Sequence, residues 1–465
     1  MDIRELKPLL RTLVGELEEA VPYATAFAAT SYGRSATVDT RNRRVSFARP
    51  VAGVVFSAFT GKHFIEQATN DFSEEALRLA VKELLGHCQA AGIDKNSEMV
   101  IAPGEELDKE YFVEVQKDPT TLSLEDMLDK GADTRERISK LSPRFTTCGV
   151  TYGYTTRCEL FVNRTKSLYQ ELPRWDSIWF GMLADKGASI MAHGGDSRPG
   201  GYELMTFDEN IAARKIANYE KLLGAPRIPN PGMHDCIFSP GVAGLTAHEA
   251  FGHGTEVDMY LKERGKGHQF RNKRVAAKGV DMLDSPARPG LPGSYFFDHE
   301  GNLAAETKII DDGILVRGLT DVNSAIRLNY EVTPNSRRQD YSHKAYARMT
   351  NTFFGPGENT LEEMLETIKH GYLVGLPSNG MEDPKGWGIQ CEASLAREII
   401  DGELTDNFFT PVCITGYVPE LLESITMVGK DLQFFTLGAC GKGKMKEFVR
   451  VSYGGPFLRL KARIA

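Results

Sequence analysis

Two histidines five residues apart place the strictest condition on how this chain can fold. Residues 247–258 read AHEAFGHGTEVD, which sets His248, Glu249 and His253 in a His-Glu-x-x-x-His arrangement. Two imidazoles can hold a zinc ion, and a carboxylate beside one of them can take a proton from the attacking water of a hydrolysis. In the commoner zinc motif the histidines are four apart, and at about 100° per residue such a pair lies roughly 40° apart around an α-helix. A five-residue step opens that to roughly 140°, so the two side chains cannot share a face of a regular α-helix. Either the pattern is incidental, two histidines in a buried helix, or the helix is widened between them. A π-type turn widens a helix in this way and is often found at functional sites. Gly252 and Gly254 flank His253 and lower the resistance to distortion. Upstream, Ser239-Pro240 is a credible N-cap and first helical residue.

A catalytic zinc generally takes three protein ligands. Four residues compete for the third place: Glu256, three positions beyond His253; His268, in a basic loop; His343, in Tyr341-Ser342-His343; and Cys440. Local chemistry favours Cys440, which sits in Gly438-Ala439-Cys440-Gly441-Lys442-Gly443-Lys444. Glycines let the backbone approach a metal, and nearby lysines favour the thiolate. A buried cysteine in a glycine turn is the other reading. The chain has seven cysteines, an odd number with no CxxC pair, and its N-terminus lacks a basic or apolar leader, so a reducing cytosol is the default expectation. No apolar run reaches bilayer length, and a net charge of −8 argues against non-specific nucleic-acid binding.

These motifs resemble the TldD/PmbA family, zinc metallopeptidases once described as modulators of DNA gyrase. The likeness continues from His248 through Gly254-Thr255-Glu256-Val257-Asp258 and Arg337-Arg338-Gln339-Asp340-Tyr341-Ser342-His343. It takes in Arg348-Met349-Thr350-Asn351-Thr352, Met427-Val428-Gly429-Lys430-Asp431 and Gly438-Ala439-Cys440-Gly441-Lys442, in the family's order. The first half matches mainly at Arg198-Pro199-Gly200-Gly201-Tyr202-Glu203, and Lys344-Ala345-Tyr346-Ala347 departs from a segment where the family often has prolines. The resemblance implies that His248, His253 and Cys440 hold zinc. Because the His-Glu-x-x-x-His motif is intact, the chain is similar to the TldD-like catalytic branch rather than the PmbA-like branch, which lacks it. Family members work as two-chain assemblies, so the resemblance also implies a homodimer, or a heterodimer with a PmbA-like subunit.

The function expected is therefore a zinc-dependent peptidase acting on extended or unfolded polypeptides, with Glu249 as general base. Tyr341 and His343 are candidates to hydrogen-bond the oxyanion, or they simply cap a core. The competing reading is a non-enzymatic regulatory or scaffold subunit with a structural zinc. Glu249 separates the two, since a structural site needs no general base.

A chain of 465 residues is long for one core. Gly224-Ala225-Pro226-Arg227-Ile228-Pro229-Asn230-Pro231-Gly232 is its best boundary, giving an N-terminal α+β domain (1–225) with an antiparallel sheet and a C-terminal β-rich domain (232–465) carrying the zinc helix. In the first half, helices are expected over 3–17, 73–91 (capped by Ser73), from 123, and over 208–223. Strands are expected at 24–32, 35–39 and 51–58, with a meander over 145–192 that His193-Gly194-Gly195 interrupts. In the second half one helix, 361–370, breaks a run of short strands. The basic segment 262–278 reads as a solvated loop, or as a guide for acidic peptides.

Overall fold

The segregation of helical and strand patterning along the chain carries through to the architecture. The computed structural model describes residues 2–465 and is an α+β protein. Its first half builds one eight-stranded sheet. The order is β4 (Phe64–Thr69), β3 (Val51–Phe59), β1 (Tyr23–Asp39), β6 (Phe145–Val162), β7 (Lys166–Asp185) and β5 (Leu107–Phe112). β2 (Arg43–Phe47) also pairs with β1, and β8 (Ala188–Pro199) with β7. All neighbours are antiparallel except β5 and β7.

α1 (Lys7–Ala20) buries Leu10, Leu13, Val14 and Leu17, the stripe that its helical spacing predicts. It shares a core with Leu77, Ala80, Val81 and Leu84 of α2 (Glu74–Ala91), whose Ser73 cap accepts the Ala76 N–H. α3 (Leu124–Lys140) and α4 (Glu209–Lys221) pack in a second cluster around Tyr152, Trp175 and Trp179. Leu395, from the second half, is buried in the same cluster, so the two halves share apolar core.

Three expectations need correction. The strands expected at 24–32 and 35–39 are one strand, because β1 pairs with β6 without a break from Ala26 to Asp39. His193-Gly194-Gly195 does not interrupt the meander: β8 runs through it, and Gly194 is there for space, since a Cβ would fall 2.7 Å from the Trp179 ring. The helix expected over 361–370 stops at Glu366, and His370 already begins a strand that joins the C-terminal sheet.

Beyond residue 231 two further large sheets form, and among the described residues no strand pairing links them to the first. In one, β9 (Gly232–Phe238) lies parallel to His370–Asp383 and antiparallel to Leu458–Ile464. The path runs on through Val412–Tyr417 to Gly388–Ile400, which pairs back onto His370–Asp383 and closes it. The other sheet has six strands and ends on Glu447–Gly455 and Gln433–Lys442. The helix that follows β9 is buried between these two sheets. Among the described residues no helix is long and apolar enough to cross a membrane.

Candidate metal centre

α5 (Pro240–Leu245) starts at a proline whose missing N–H costs a first helical turn nothing. Every residue of α5 is buried, as suits a helix with no polar face. A Cβ on Gly244 would lie 2.6 Å from the Gly454 nitrogen, so helix and strand meet glycine on glycine. On the other side Phe251 packs on Trp387, ring centroids 5.3 Å apart.

From Thr246 to Gly252 the helix widens into a π-turn, and the His253 N–H donates to the His248 carbonyl five residues back. The His248 and His253 rings are thereby brought to 5.2 Å, edge to face at 82°. Gly252 has ordinary helical angles (φ −57°, ψ −53°), so backbone freedom is not its role. A Cβ there would fall 2.1 Å from the Met349 sulfur, and glycine is required for space.

The third group comes from Gln433–Lys442. Its ladder with Glu447–Gly455 slips register between Phe435 and Gly438, and one extra residue in a strand exchanges the faces of all side chains beyond it. Cys440 thus reaches the histidines: its Sγ is 3.4 Å from His253 Nε2, and one ligand atom from each of His248, His253 and Cys440 lies within 4.8 Å of the other two. A tetrahedral ion with bonds of about 2.0–2.3 Å holds its ligand atoms roughly 3.5 Å apart, within reach of small side-chain adjustments. His248 Nδ1 is buried without a hydrogen-bond partner. Burial opposes charge on Cys440, yet the adjacent His253 and His248 outweigh it and hold the thiol well below its ordinary range. Two imidazoles and a thiolate are a donor set that fits a metal ion.

Around this triad lies a supporting layer. Glu256 Oε2 is 3.2 Å from His253 Nδ1, the ring nitrogen not facing Cys440. Lys442 Nζ lies 3.0 Å from the same Glu256 oxygen and donates to Asp258 Oδ1 at 2.7 Å. Burial opposes the Glu256 charge, but Lys442 and His253 overcome it and bring the carboxyl down to about 2. Glu256 is therefore a carboxylate set against the far ring nitrogen of His253, outside the three residues whose ligand atoms converge. Glu249 is half-buried and packed on Gly380, where a Cβ would fall 2.4 Å from its Cγ.

The other sequence candidates lie apart from the triad. His268 Nδ1 faces the Tyr330 hydroxyl at 3.1 Å, and His343 Nδ1 faces Asp340 at 2.7 Å. Tyr341 lies over Gly53 of β3, bracing the two halves against each other. Among the described residues no hydrogen bond or ring contact carries Tyr341 or His343 to His248, His253 or Cys440.

One residue at the site has no signal in the sequence. Glu382 is two positions beyond Gly380 on the same strand, hence on the same face. Both its carboxylate oxygens are buried without a hydrogen-bond partner, and a Cβ on Gly254 would fall 2.5 Å from Oε1. Burial, reinforced by Glu256 and Glu249 against the pull of His253, pushes its carboxyl well above the ordinary range.

Residues 231–464 match the family model of the PmbA/TldA metallopeptidase C-terminal domain. A metalloprotease of Methanothermobacter thermautotrophicus is 31% identical over 317 residues, 67% of this chain and 68% of its own length. A zinc metalloprotease TldD homolog of Saccharolobus solfataricus is 32% identical over 267 residues, 56% of this chain and 58% of its own. In fold, the chain is similar to TldE from Thermococcus kodakarensis, with a TM-score of 0.71 and 17% identity over 98% of this chain and 99% of that one. A putative modulator of a DNA gyrase from Thermotoga maritima superposes with a TM-score of 0.76 at 16% identity, over 98% of this chain and 100% of that one. With half of its length under the family model and the histidine pair and cysteine assembled in the same region, this chain belongs to the PmbA/TldD family of metallopeptidases.

Proposed function

We propose that this protein is a zinc-dependent peptidase of the TldD-like catalytic branch, hydrolysing peptide bonds in extended or unfolded polypeptides. The observation that carries the reading is the convergence of His248, His253 and Cys440 with Glu249 next in sequence to a ligand. These three residues would hold the zinc, which when bound polarises the scissile carbonyl and acidifies water. Glu249 accepts the proton of the attacking water and returns it to the leaving amine. Glu256 orients His253 through Nδ1, and Lys442 keeps Glu256 ionised. Cys440 lies on a strand that ends its sheet, and such an edge can receive an extended peptide by backbone pairing with little sequence preference.

In this reading residues 1–225 and 232–465 are the two domains, and the protein works in the cytosol as a homodimer or with a PmbA-like partner. The competing reading is a scaffold with a structural zinc. Glu249→Gln discriminates: cleavage of an unstructured peptide should fall by about two to four orders of magnitude while metal content is kept. Unchanged cleavage would overturn the peptidase reading.

A further inference from the structure

A cavity of about 680 Å³ opens where the two halves meet, a size typical of small-ligand sites. β7, β8 and α4 form one wall, and the strands Gln433–Lys442 and Glu447–Gly455 the other. Its mixed lining includes four aromatic side chains, Trp175, Trp179, Phe435 and Tyr453. Phe435 and Tyr453 stack 5.7 Å apart at 3°, and the Tyr453 ring lies 6.1 Å from that of His248. The cavity wall is therefore continuous with a residue of the metal centre.

At the other end of this row, Lys215 of α4 holds its ammonium 5.8 Å from the centre of the Phe435 ring. Lys215 is half-buried and, among the described residues, makes no salt bridge. The neighbouring charges are committed elsewhere: Arg198 pairs with Asp196, which also takes the Thr436 hydroxyl at 2.6 Å, and Asp208 accepts the Ile211 N–H at 2.9 Å as the cap of α4. Burial, with no carboxylate to offset it, pulls the Lys215 ammonium below its ordinary range. A partly desolvated cation without a counter-charge is a cost that an anionic ligand would relieve.

We propose that this cavity is a substrate subsite in which Lys215 binds a carboxylate of the peptide, with the aromatic wall covering the chain between that carboxylate and the metal centre. The proposal rests on the peptidase reading and adds a substrate class to it. The steps from Lys215 to Phe435, Tyr453 and His248 are each about 6 Å. An extended peptide advances about 3.3 Å per residue, so the carboxylate lies within about five residues of the cleaved bond. An acidic side chain and a free C-terminus present the same chemistry.

Four N-acetylated pentapeptides separate these sources: tetra-alanine followed by Glu or Gln, each as free acid or amide. They are titrated into the full chain carrying Glu249→Gln, so that binding is read without turnover. Two of the three tryptophans line the cavity, and intrinsic fluorescence therefore reports entry there. Peptides bearing a carboxylate should bind about tenfold more tightly than the Gln amide, the lower end of what a hydrogen bond to a charged group contributes. The Glu amide against the Gln acid identifies the source. Lys215→Met should erase the preference without weakening the Gln amide, and Lys215→Arg should keep it; Lys215→Gln replaces the Met variant if circular dichroism shows that one unfolded. Equal affinity for all four peptides, or a preference that survives loss of the lysine charge, would overturn the proposal. Peptides that bind with the preference but are never cut by the protein with Glu249 intact would instead overturn the peptidase reading alone.

Discussion

The backbone N–H of His253 donates to the carbonyl of His248, and this i→i−5 bond closes the π-turn in which two histidines five residues apart converge. The turn is enclosed on one side by Met349, at Gly252, and on the other by Gly380, at Glu249.

Gly252→Ala should destabilise the protein by about 1–3 kcal/mol, the usual cost of overpacking, because the new Cβ meets the Met349 sulfur. Thermal melts of Gly252→Ala, Met349→Ala and the double variant test the cause. The double variant should lose clearly less than the sum of the two single losses; strict additivity would place the strain elsewhere.

Cys440→Ala should remove metal and stability together. A ligand that binds only the folded state stabilises it by about 2.7 kcal/mol at a free concentration a hundredfold above its Kd. Adding zinc should therefore raise the melting temperature of the wild type far more than that of Cys440→Ala, with metal analysis as the parallel measurement. An equal rise in both would exclude Cys440 as a ligand.

Glu256→Gln keeps a hydrogen-bonding side chain of the same size beside His253 Nδ1 but loses the charge that holds the ring against Lys442. Metal affinity, read by competition with a chelator of known strength, should fall about ten- to a hundredfold. A Glu256→Gln protein as tight as wild type would show that the contact is only structural.

Glu300 concerns pH rather than metal. Burial, with Asp321 and Asp298 nearby, pushes its carboxyl up to about 8, against roughly 4.3 for an unfolded glutamate. A carboxyl raised on folding contributes stability that is complete below about pH 4.3 and is lost as pH climbs through about 8. Glu300→Gln can still accept the Val322 N–H. It should flatten this decline and make the protein roughly 1–3 kcal/mol more stable than wild type at pH 8, the shift being trimmed because the residue is only partly buried. Melting temperatures from pH 5 to 9 measure it; parallel curves for the two proteins would contradict it.

Much of the local structure was legible in the sequence because its determinants are local. The caps at Ser73, Ser123 and Asp208 and the leucine stripe of α1 depend on residues within a turn or two. The five-residue histidine spacing called for a widened helix if both rings were to meet one ion, and the same motif offered Glu249 as the candidate base. Glycine was harder to read. His193-Gly194-Gly195 looks like a break, yet Gly194 is a strand residue under a tryptophan, and Gly252 is a space requirement rather than a hinge.

By itself, then, the sequence determined the π-turn, the pairing of His248 with His253 and the α+β segregation, since periodicity, capping and ligand spacing act over one or two turns. The glycine and lysine context of Cys440 already favoured it over Glu256, His268 and His343, but only tertiary structure sets its sulfur beside the two histidines. The sulfur that meets His253 comes from 187 residues away and faces it only because a register slip precedes it in the strand. The same holds for Glu382, set toward Gly254 and the histidine turn by strand alternation, and for Lys215, which lines the cavity only when the two halves close around it. Contacts of this kind depend on register and on the docking of distant elements, and neither is written in any local pattern.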